Sequence, residues 1–349
     1  APGLVAPDFT WETVTQMDFG FDASFLNNRL TGTFDWYRRN TKDMLVAGAT
    51  LPATLGASVP KSNSADMKTI GWELSLGWND RLENGFSYWV KGVLSDYQAT
   101  ITKYAGNDAG FYSQSDGDGK YYVGQKIGEI WGYHSNGLFQ SDDEAATIDQ
   151  SELYAGKWGA GDVKYEDLDG DGKITKGEET IYNPGDKSII GNKTPRYQFG
   201  ITVGFDYKNF DFEMFWQGTG KRDYMLSGAQ FWGFTSQWDV PYTPALDYWT
   251  ETNTDAYFPR PGWQNGGNRV TSDRYLQSAA YGRLKNLTVG YTIPKNLTTK
   301  WGISRLRLYV TGENLLTITP LNDAFDPETL GGMTYPINRK VAIGLNLTL

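Results

Sequence analysis

The sequence predicts an all-β protein: a transmembrane antiparallel β-barrel wall of about nine strands, with its long loops gathered on one side of the membrane. Three observations predict it. Apolar and polar residues alternate strictly along nine segments, aromatic side chains sit near the ends of the apolar faces, and short and long connections follow one another in strict turn.

The alternation is clearest in 196–207. Tyr197, Phe199, Ile201, Val203, Phe205 and Tyr207 fall on one face; Arg196, Gln198, Gly200, Thr202, Gly204 and Asp206 fall on the other. Successive side chains of a strand point to opposite faces, so this strand is apolar on one side and polar on the other. In chain order the same pattern runs through 17–25, 30–36, 70–78, 86–94, 196–207, 210–216, 287–293, 306–310 and 341–349. Several of these exceed the ~5–6 residues usual for strands of soluble sheets.

Trp36, Trp78, Tyr88, Tyr207 and Trp216 lie near the ends of the apolar faces. Membrane barrels place aromatic girdles there, at the two lipid interfaces. A soluble sandwich or propeller also alternates, but its core face favours Val, Leu and Ile. The connections separate the two further. Those at 27–29, 80–84, 208–209 and 294–304 are short, whereas those at 47–66, 104–195, 221–279 and 319–336 are long. Outer-membrane barrels have short periplasmic turns and long extracellular loops, so all four long loops are expected outside. Bacterial single-chain barrels have even strand numbers, so nine reads as part of a larger barrel.

Composition removes other classes. There is no cysteine, hence no disulfide, thiol nucleophile or Cys-ligated metal. A single histidine, His134, leaves no His-based zinc site and no companion for nucleophilic catalysis. The net charge of −9 lacks the positive field that draws nucleic acid. No run approaches the ~18 consecutive apolar residues of a membrane helix, and a β-barrel leaves no such run. Acidic residues abound, but nothing fixes two of them at a glycosidase separation. The expectation is a protein that is not an enzyme.

One segment carries a metal-ligand spacing. Residues 167–178 match the calcium-loop pattern D-x-[DN]-x-[DN]-G-x5-E in full. Ca²⁺ takes six to eight hard oxygens. Asp167, Asp169 and Asp171 would supply carboxylates, Lys173 its carbonyl, Thr175 the water-mediated position and Glu178 a bidentate carboxylate. Gly172 permits the turn and Ile174 is the apolar anchor. The flanks do not read as two helices, and Pro184 and Gly185 follow closely. The expectation is a structural calcium clip; the alternative is an Asp/Gly-rich turn without an ion. Residues 116–119 are a weaker echo, read as a plain turn.

These residues also carry a family likeness. It lies in Trp11-Glu12-Thr13 with Asp18 to Asp22 and Phe25 to Thr33; in Gly71 to Leu76; in Gly161 to Tyr165 leading into the Asp-Gly loop, with Ile190-Gly191-Asn192, Pro195 and Phe199-Gly200; and in Leu284 to Tyr291, Leu306 to Leu315 and the final strand. On these stretches the chain resembles the C-terminal part of SusC/RagA-like TonB-dependent outer-membrane transporters. The resemblance implies a 22-stranded barrel with a plugged lumen, of which this chain supplies roughly the last nine strands. It implies a SusD-like surface lipoprotein as a lid, energy from TonB acting through the plug, and import of glycan oligomers or peptides across a Bacteroidota-type outer membrane. The family's N-terminal plug and TonB-contacting box find no match in this chain. Two other readings remain open at this point: a calcium-clipped surface glycan-binding or adhesive β-protein, and a glycoside hydrolase on a β-scaffold.

Two residue sets need a place in this picture. The loop 221–273 is dense in aromatics, first of all as a small core for the loop itself. Among them Trp232, Trp238, Trp249 and Trp263 are the candidates for contact with substrate or lid, since aromatic faces stack on sugars and anchor interfaces. Asp18, Asp22, Asp35, Glu73, Lys91, Asp206, Asp211, Glu213, Arg283, Lys285 and Arg307 fall on the inward faces. They would seat the plug or line the solute path, unless they simply make a wet lumen polar.

Overall fold

The structure is a computed structural model that describes residues 6, 9–47, 54, 60–112, 121–330, 335 and 337–349. The weak echo at 116–119 lies outside the described residues. Four long strands come first: β1 (Thr13–Phe25), β2 (Leu30–Ala47), β3 (Lys61–Arg81) and β4 (Ser87–Tyr104). The next connection carries β5 (Glu129–Tyr133), β6 (Ser135–Leu138), a helical turn α1 (Asp142–Ala145), β7 (Val163–Tyr165) and β8 (Lys187–Asn192). Then follow β9 (Arg196–Tyr207), β10 (Phe210–Lys221), β11 (Asp223–Met225), α2 (Ala229–Trp232), β12 (Leu276–Ser278), β13 (Tyr281–Thr292), α3 (Lys295–Thr298), β14 (Arg305–Ile318) and β15 (Lys340–Thr348).

Nine of these strands form one antiparallel sheet in the order β1-β2-β3-β4-β9-β10-β13-β14-β15. Each overlaps one of the nine alternating segments, to within one residue at its end. The pairing register turns the alternation into two faces. Phe21, Phe34, Leu74, Leu94 and Phe199 are successive cross-strand partners and form an apolar row. One residue further, Asp22, Thr33, Ser75, Val93, Gly200, Gln217, Arg283 and Thr317 form a row on the opposite face, mostly polar or Gly. The apolar face is uncovered: Phe19 is 67% exposed and Ile343 83%. Soluble monomers rarely expose apolar patches beyond a few hundred Å². A sheet face of this kind suits lipid.

An aromatic band runs along the end that carries the short turns. Phe86 stacks on Phe205 at 5.5 Å, Phe205 on Phe212 at 5.1 Å, and Phe210 lies 4.7 Å from Tyr291. The Trp78 indole N–H donates to the Tyr88 hydroxyl at 3.1 Å. The turn between β1 and β2 needs three consecutive residues at positive φ, Leu26, Asn27 and Asn28. Asn tolerates that conformation better than most side chains, which suits two of the three positions.

The strands run further than the alternation. β2 reaches Ala47 and β3, with 21 residues, starts at Lys61. The connection expected at 47–66 is therefore shortened to 48–60, which the described residues leave almost wholly outside. The reason is physical. Beyond the membrane band a strand meets water or loops on both faces, so Arg38, Arg39, Asn40 and Lys42 continue the ladder without an apolar face.

At the other end, the three connections after β4, β10 and β14 fold together as a cap. One core takes Tyr133, Leu138, Val163, Tyr165 and Ile174 from the first connection. It takes Leu226, Phe231, Trp232, Phe258 and Tyr275 from the second, and Leu321, Phe325 and Leu330 from the third. The aromatic-rich loop thus shares its core with its neighbours instead of building its own. Phe231 sits at the centre, fully buried, with ring centres 5.0 Å from Trp232, 5.1 Å from Phe258 and 6.3 Å from Phe325. Phe231→Ala should cost about 3–5 kcal/mol, the usual range for emptying a Phe site. The expected result is protease cleavage in all three connections with the heat-modifiable mobility of the barrel unchanged. Cleavage confined to one connection would mean three separate cores.

Candidate functional site in the cap and on the inner face

The Asp-rich loop between β7 and β8 is pre-shaped by its own backbone. Asp167 accepts from the N–H groups of Gly170 at 2.6 Å and Gly172 at 2.7 Å, and Asp171 accepts from Lys173 at 2.8 Å. Gly170 and Gly172 adopt φ of +78° and +83°, the left-handed region that glycine enters without strain. Ile174 is buried in the cap core and fixes the loop from below. A short bridge between Asp149 and Lys173 holds it from the side.

The gathered carboxylates differ from the motif. Oxygens of Asp167, Asp169 and Asp186 lie within 4.8 Å of one another. Asp171 and Glu178 stand outside that group, and Glu178 is exposed. Asp186 is fully buried and accepts from the N–H groups of Leu168 and Thr175, both at 2.7 Å. It lies eight residues beyond the motif's last position (186 against 178), where no spacing rule points. Lys173 and Thr175 keep their places in the loop, the Thr175 N–H being one of the two that hold Asp186. Asp167 is held below the ordinary carboxylate range by the Gly172 N–H bond. Asp169 is pushed above it: the Asp171 N–H bond pulls down, but lost hydration and the charges of Asp171, Asp186 and Asp167 outweigh it. Such crowding of like charge is what a bound cation would relieve.

The four candidate tryptophans divide. Trp232 is 8% exposed, its ring 4.6 Å from Tyr275, so it is a core residue. Trp249 packs against the same core with Gly161 against its ring, and its indole N–H is buried without a hydrogen-bond partner among the described residues. Trp232 lies inside the cap core and Trp249 packs partly buried against it. Trp238 is 83% exposed and Trp263 46%. The Arg269 guanidinium donates to the carbonyls of Phe234, Gly262 and Trp263, which ties the two exposed-Trp segments together.

Two polar braces hold the cap. Asp162, fully buried, receives both Arg260 nitrogens at 2.9 and 2.6 Å and the Asn268 amide at 2.9 Å. His134 bridges Asp273 and Ser188, each at 2.7 Å, and so joins β8 to the segment before β12. The order Ser–His–Asp is that of a hydrolytic relay, but here it cross-links three stretches of cap.

Several inner-face charges are already committed. Arg307 grips Asp211 through two nitrogens beside a cavity of about 590 Å³ that Asp206, Glu213 and Arg305 also line. Arg283 and Lys285 reach Asp326 and Glu328 of the last connection. Asp18, Asp22, Asp35 and Glu73 have no cationic partner among the ion pairs of the described residues. Asp35 even faces Glu73 directly across β2 and β3.

The sheet thus has one apolar face, one charged face and a packed cap at one end. Residues 2–315 match the family described as TonB dependent receptor-like, beta-barrel. The chain belongs to this family. It is 30% identical to TonB-dependent receptor P3 of Formosa agariphila, over 99% of this chain and 35% of that protein. It is 25% identical to TonB-dependent receptor SusC of Bacteroides thetaiotaomicron, over 99% of this chain and 33% of that protein. The RagAB peptide transporter structure shares its fold, with a TM-score of 0.75 at 22% identity over 98% of this chain and 36% of that one. The chain thus spans about a third of the length of the relatives it matches. It is part of the β-barrel wall of a TonB-dependent receptor, with the cap that its long connections form. Its relatives are named as TonB-dependent receptors, not as hydrolases.

The cap carries a pH dependence. Ser141 caps α1 by accepting from the Glu144 N–H, while Glu144 accepts from the Gln140 N–H at 2.7 Å, a variant of the capping box. The Gln140 N–H bond and then Lys164 hold Glu144 below its usual range. A carboxylate lowered by folding stabilises above its unfolded pKa and stops doing so as pH falls through its folded value. Cleavage in 140–165 by an acid-active protease should therefore accelerate below about pH 4, the ordinary Glu range. Glu144→Gln should be cleaved fast at pH 5 already; an unchanged profile would remove Glu144 from the brace.

Proposed function

We propose that this chain is the C-terminal wall and cap of a 22-stranded TonB-dependent importer for glycan oligomers or peptides. The single observation that carries this reading is the division of one sheet into a lipid-facing and a lumen-facing side, with every long connection at one end. Nine strands in about a third of the relatives' length fits a barrel of the plugged-transporter size. Two similar proteins support the class: one is named TonB-dependent receptor SusC, and one solved structure is that of the RagAB peptide transporter. The reading includes a SusD-like surface lipoprotein as lid over the cap, and TonB acting through a plug outside this chain.

Trp238 and Trp263 are proposed as contacts to that lid or to substrate beneath it, because they are the two candidate tryptophans left exposed. Extraction of the full-length protein in mild detergent and native mass measurement should give a complex with a lipidated partner. Trp238→Ala with Trp263→Ala should lower partner recovery by about tenfold or more, as loss of two aromatic anchors does. A bare barrel from the wild type would contradict the lid. Full recovery by the double variant would move the contact elsewhere.

We also propose Ca²⁺ as a structural ion at the Asp-rich loop, with Asp167, Asp169 and Asp186 as carboxylate ligands. Asp171, the Lys173 carbonyl, Thr175 and Glu178 are the further candidates that the motif supplies. Hard oxygens, like-charge crowding and a backbone-fixed loop support it. Chelation should speed proteolysis within 167–186 and leave the strands intact, and Asp186→Asn should abolish that chelator response while Glu178→Gln retains it. Proteolysis indifferent to chelator would sink the calcium site.

A further inference from the structure

We infer that residues 321–330 are a fixed strap that narrows the lumen on the β13 side, with Arg283 and Lys285 as the positioning residues that hold it. The inference rests on the importer reading for its function and on geometry for its existence. Arg283 lies in the polar inner row, between Gln217 of β10 and Thr317 of β14. A guanidinium facing a wet lumen would be hydrated, yet Arg283 is 2% exposed. What covers it is the connection between β14 and β15.

The latch has two cations and two anions. Arg283 donates to the Thr317 hydroxyl at 2.9 Å and to Asp326 at 2.5 Å, and its other terminal nitrogen lies 3.2 Å from Glu328. Lys285 reaches both Glu328 oxygens, at 3.1 and 3.0 Å. Lys285 sits at a β-bulge between Leu284 and Asn286, the kind of irregularity that re-aims a side chain. The strap's opposite side is buried in the cap core through Leu321, Phe325 and Leu330. Its start is pinned as well: Thr319 donates to the Ala280 carbonyl, and the Asn322 N–H donates to Gln277. Freed from its acids, Arg283 would be a buried uncompensated charge. A segment held to wall, core and neighbour at once has no free side on which to swing. Solute that passes under the cap therefore meets the strap rather than the β13 wall, and the strap sets the opening there.

The test uses the full-length transporter in its own outer membrane. This chain has no cysteine, so Gln277→Cys with Asn322→Cys places a cross-linkable pair between β12 and the strap while the four latch residues stay in place. Uptake is read by mass as the loss of a tryptic peptide digest and of a maltooligosaccharide ladder. The cross-linked and reduced forms should import at rates within about twofold of each other and with one length cut-off, as expected of a segment that does not open. Asp326→Asn with Glu328→Gln should shift import toward longer oligomers, while Lys285→Arg keeps the wild-type cut-off. Arrest on cross-linking that reduction reverses would overturn the fixed strap and make it a moving gate. An unchanged cut-off in the double variant would overturn the narrowing.

A readout independent of transport separates the two readings. Leu321→Cys, at a position of the strap that is buried in the cap core, is probed with a membrane-impermeant maleimide. Labelling should rise at least about fivefold when Asp326→Asn and Glu328→Gln are added, the sign of local opening. Equal labelling would overturn the latch even if uptake were normal. A wild type that imports neither ladder, combined with that rise, would leave the latch standing and count against the importer reading.

Discussion

Hydrocarbon offers no hydrogen bonds, so every peptide group crossing it must find its partner inside the protein. In this chain that partner is the neighbouring strand, on both sides for the inner strands and on one side for β1 and β15. The ladder runs from β1 to β15 with register shifts at only a few points. Once the backbone is tied in this way, side chains have two directions left, and the period of two sends them alternately to lipid and to lumen. Phe, Leu, Ile and Val collect outside because nothing polar can be hydrated there. Asp, Glu, Lys, Arg, Thr and Gly collect inside. The connections cannot enter the lipid either, so long ones gather beyond one rim of the sheet and fold on each other.

That cap is a small globular unit built from pieces far apart in sequence. Its centre is a cluster of edge-to-face aromatic rings around Phe231. Its polar braces join residues far apart in sequence, Asp162 with Arg260 across 98 positions and His134 with Asp273 across 139. Buried charges of this kind stabilise only while paired, so each brace also dictates a unique arrangement of the loops. The inner face divides in the same sense. Around β13 and β14 its charges are spent on Asp211, Asp326 and Glu328. Along β1 to β3 the acids Asp18, Asp22, Asp35 and Glu73 remain without cations among the described residues, the side of the lumen left for another segment or a solute.

The wall was readable from sequence because alternation is a one-dimensional signal that survives intact in three dimensions. All nine strands of the sheet coincide with alternating segments. The upper parts of β2 and β3 were not readable, because strands wet on both faces carry no alternation. The cap was legible only as aromatic density. Sequence cannot tell which of Trp232, Trp238, Trp249 and Trp263 face inward, since the core that takes in Trp232, and against which Trp249 packs, comes from three connections. Asp186 escaped notice for a similar reason: the twelve-position motif ends at Glu178, and the chain must turn through Pro184 and Gly185 before Asp186 comes back to Asp167. The latch over Arg283 pairs positions forty-three apart, and an inward cation reads the same whether it meets water, solute or its own loop.

Adjacent residues of one strand face lipid and lumen, and photocross-linking distinguishes the two sides. A photoreactive side chain is placed at Ile201 or, alternatively, at Thr202 of β9 in the full-length protein within its membrane. At position 201 the account predicts cross-links to lipid acyl chains. At position 202, at nearly the same depth, it predicts cross-links to protein and none to lipid. Equal lipid cross-linking at both positions, or none at either, would contradict it.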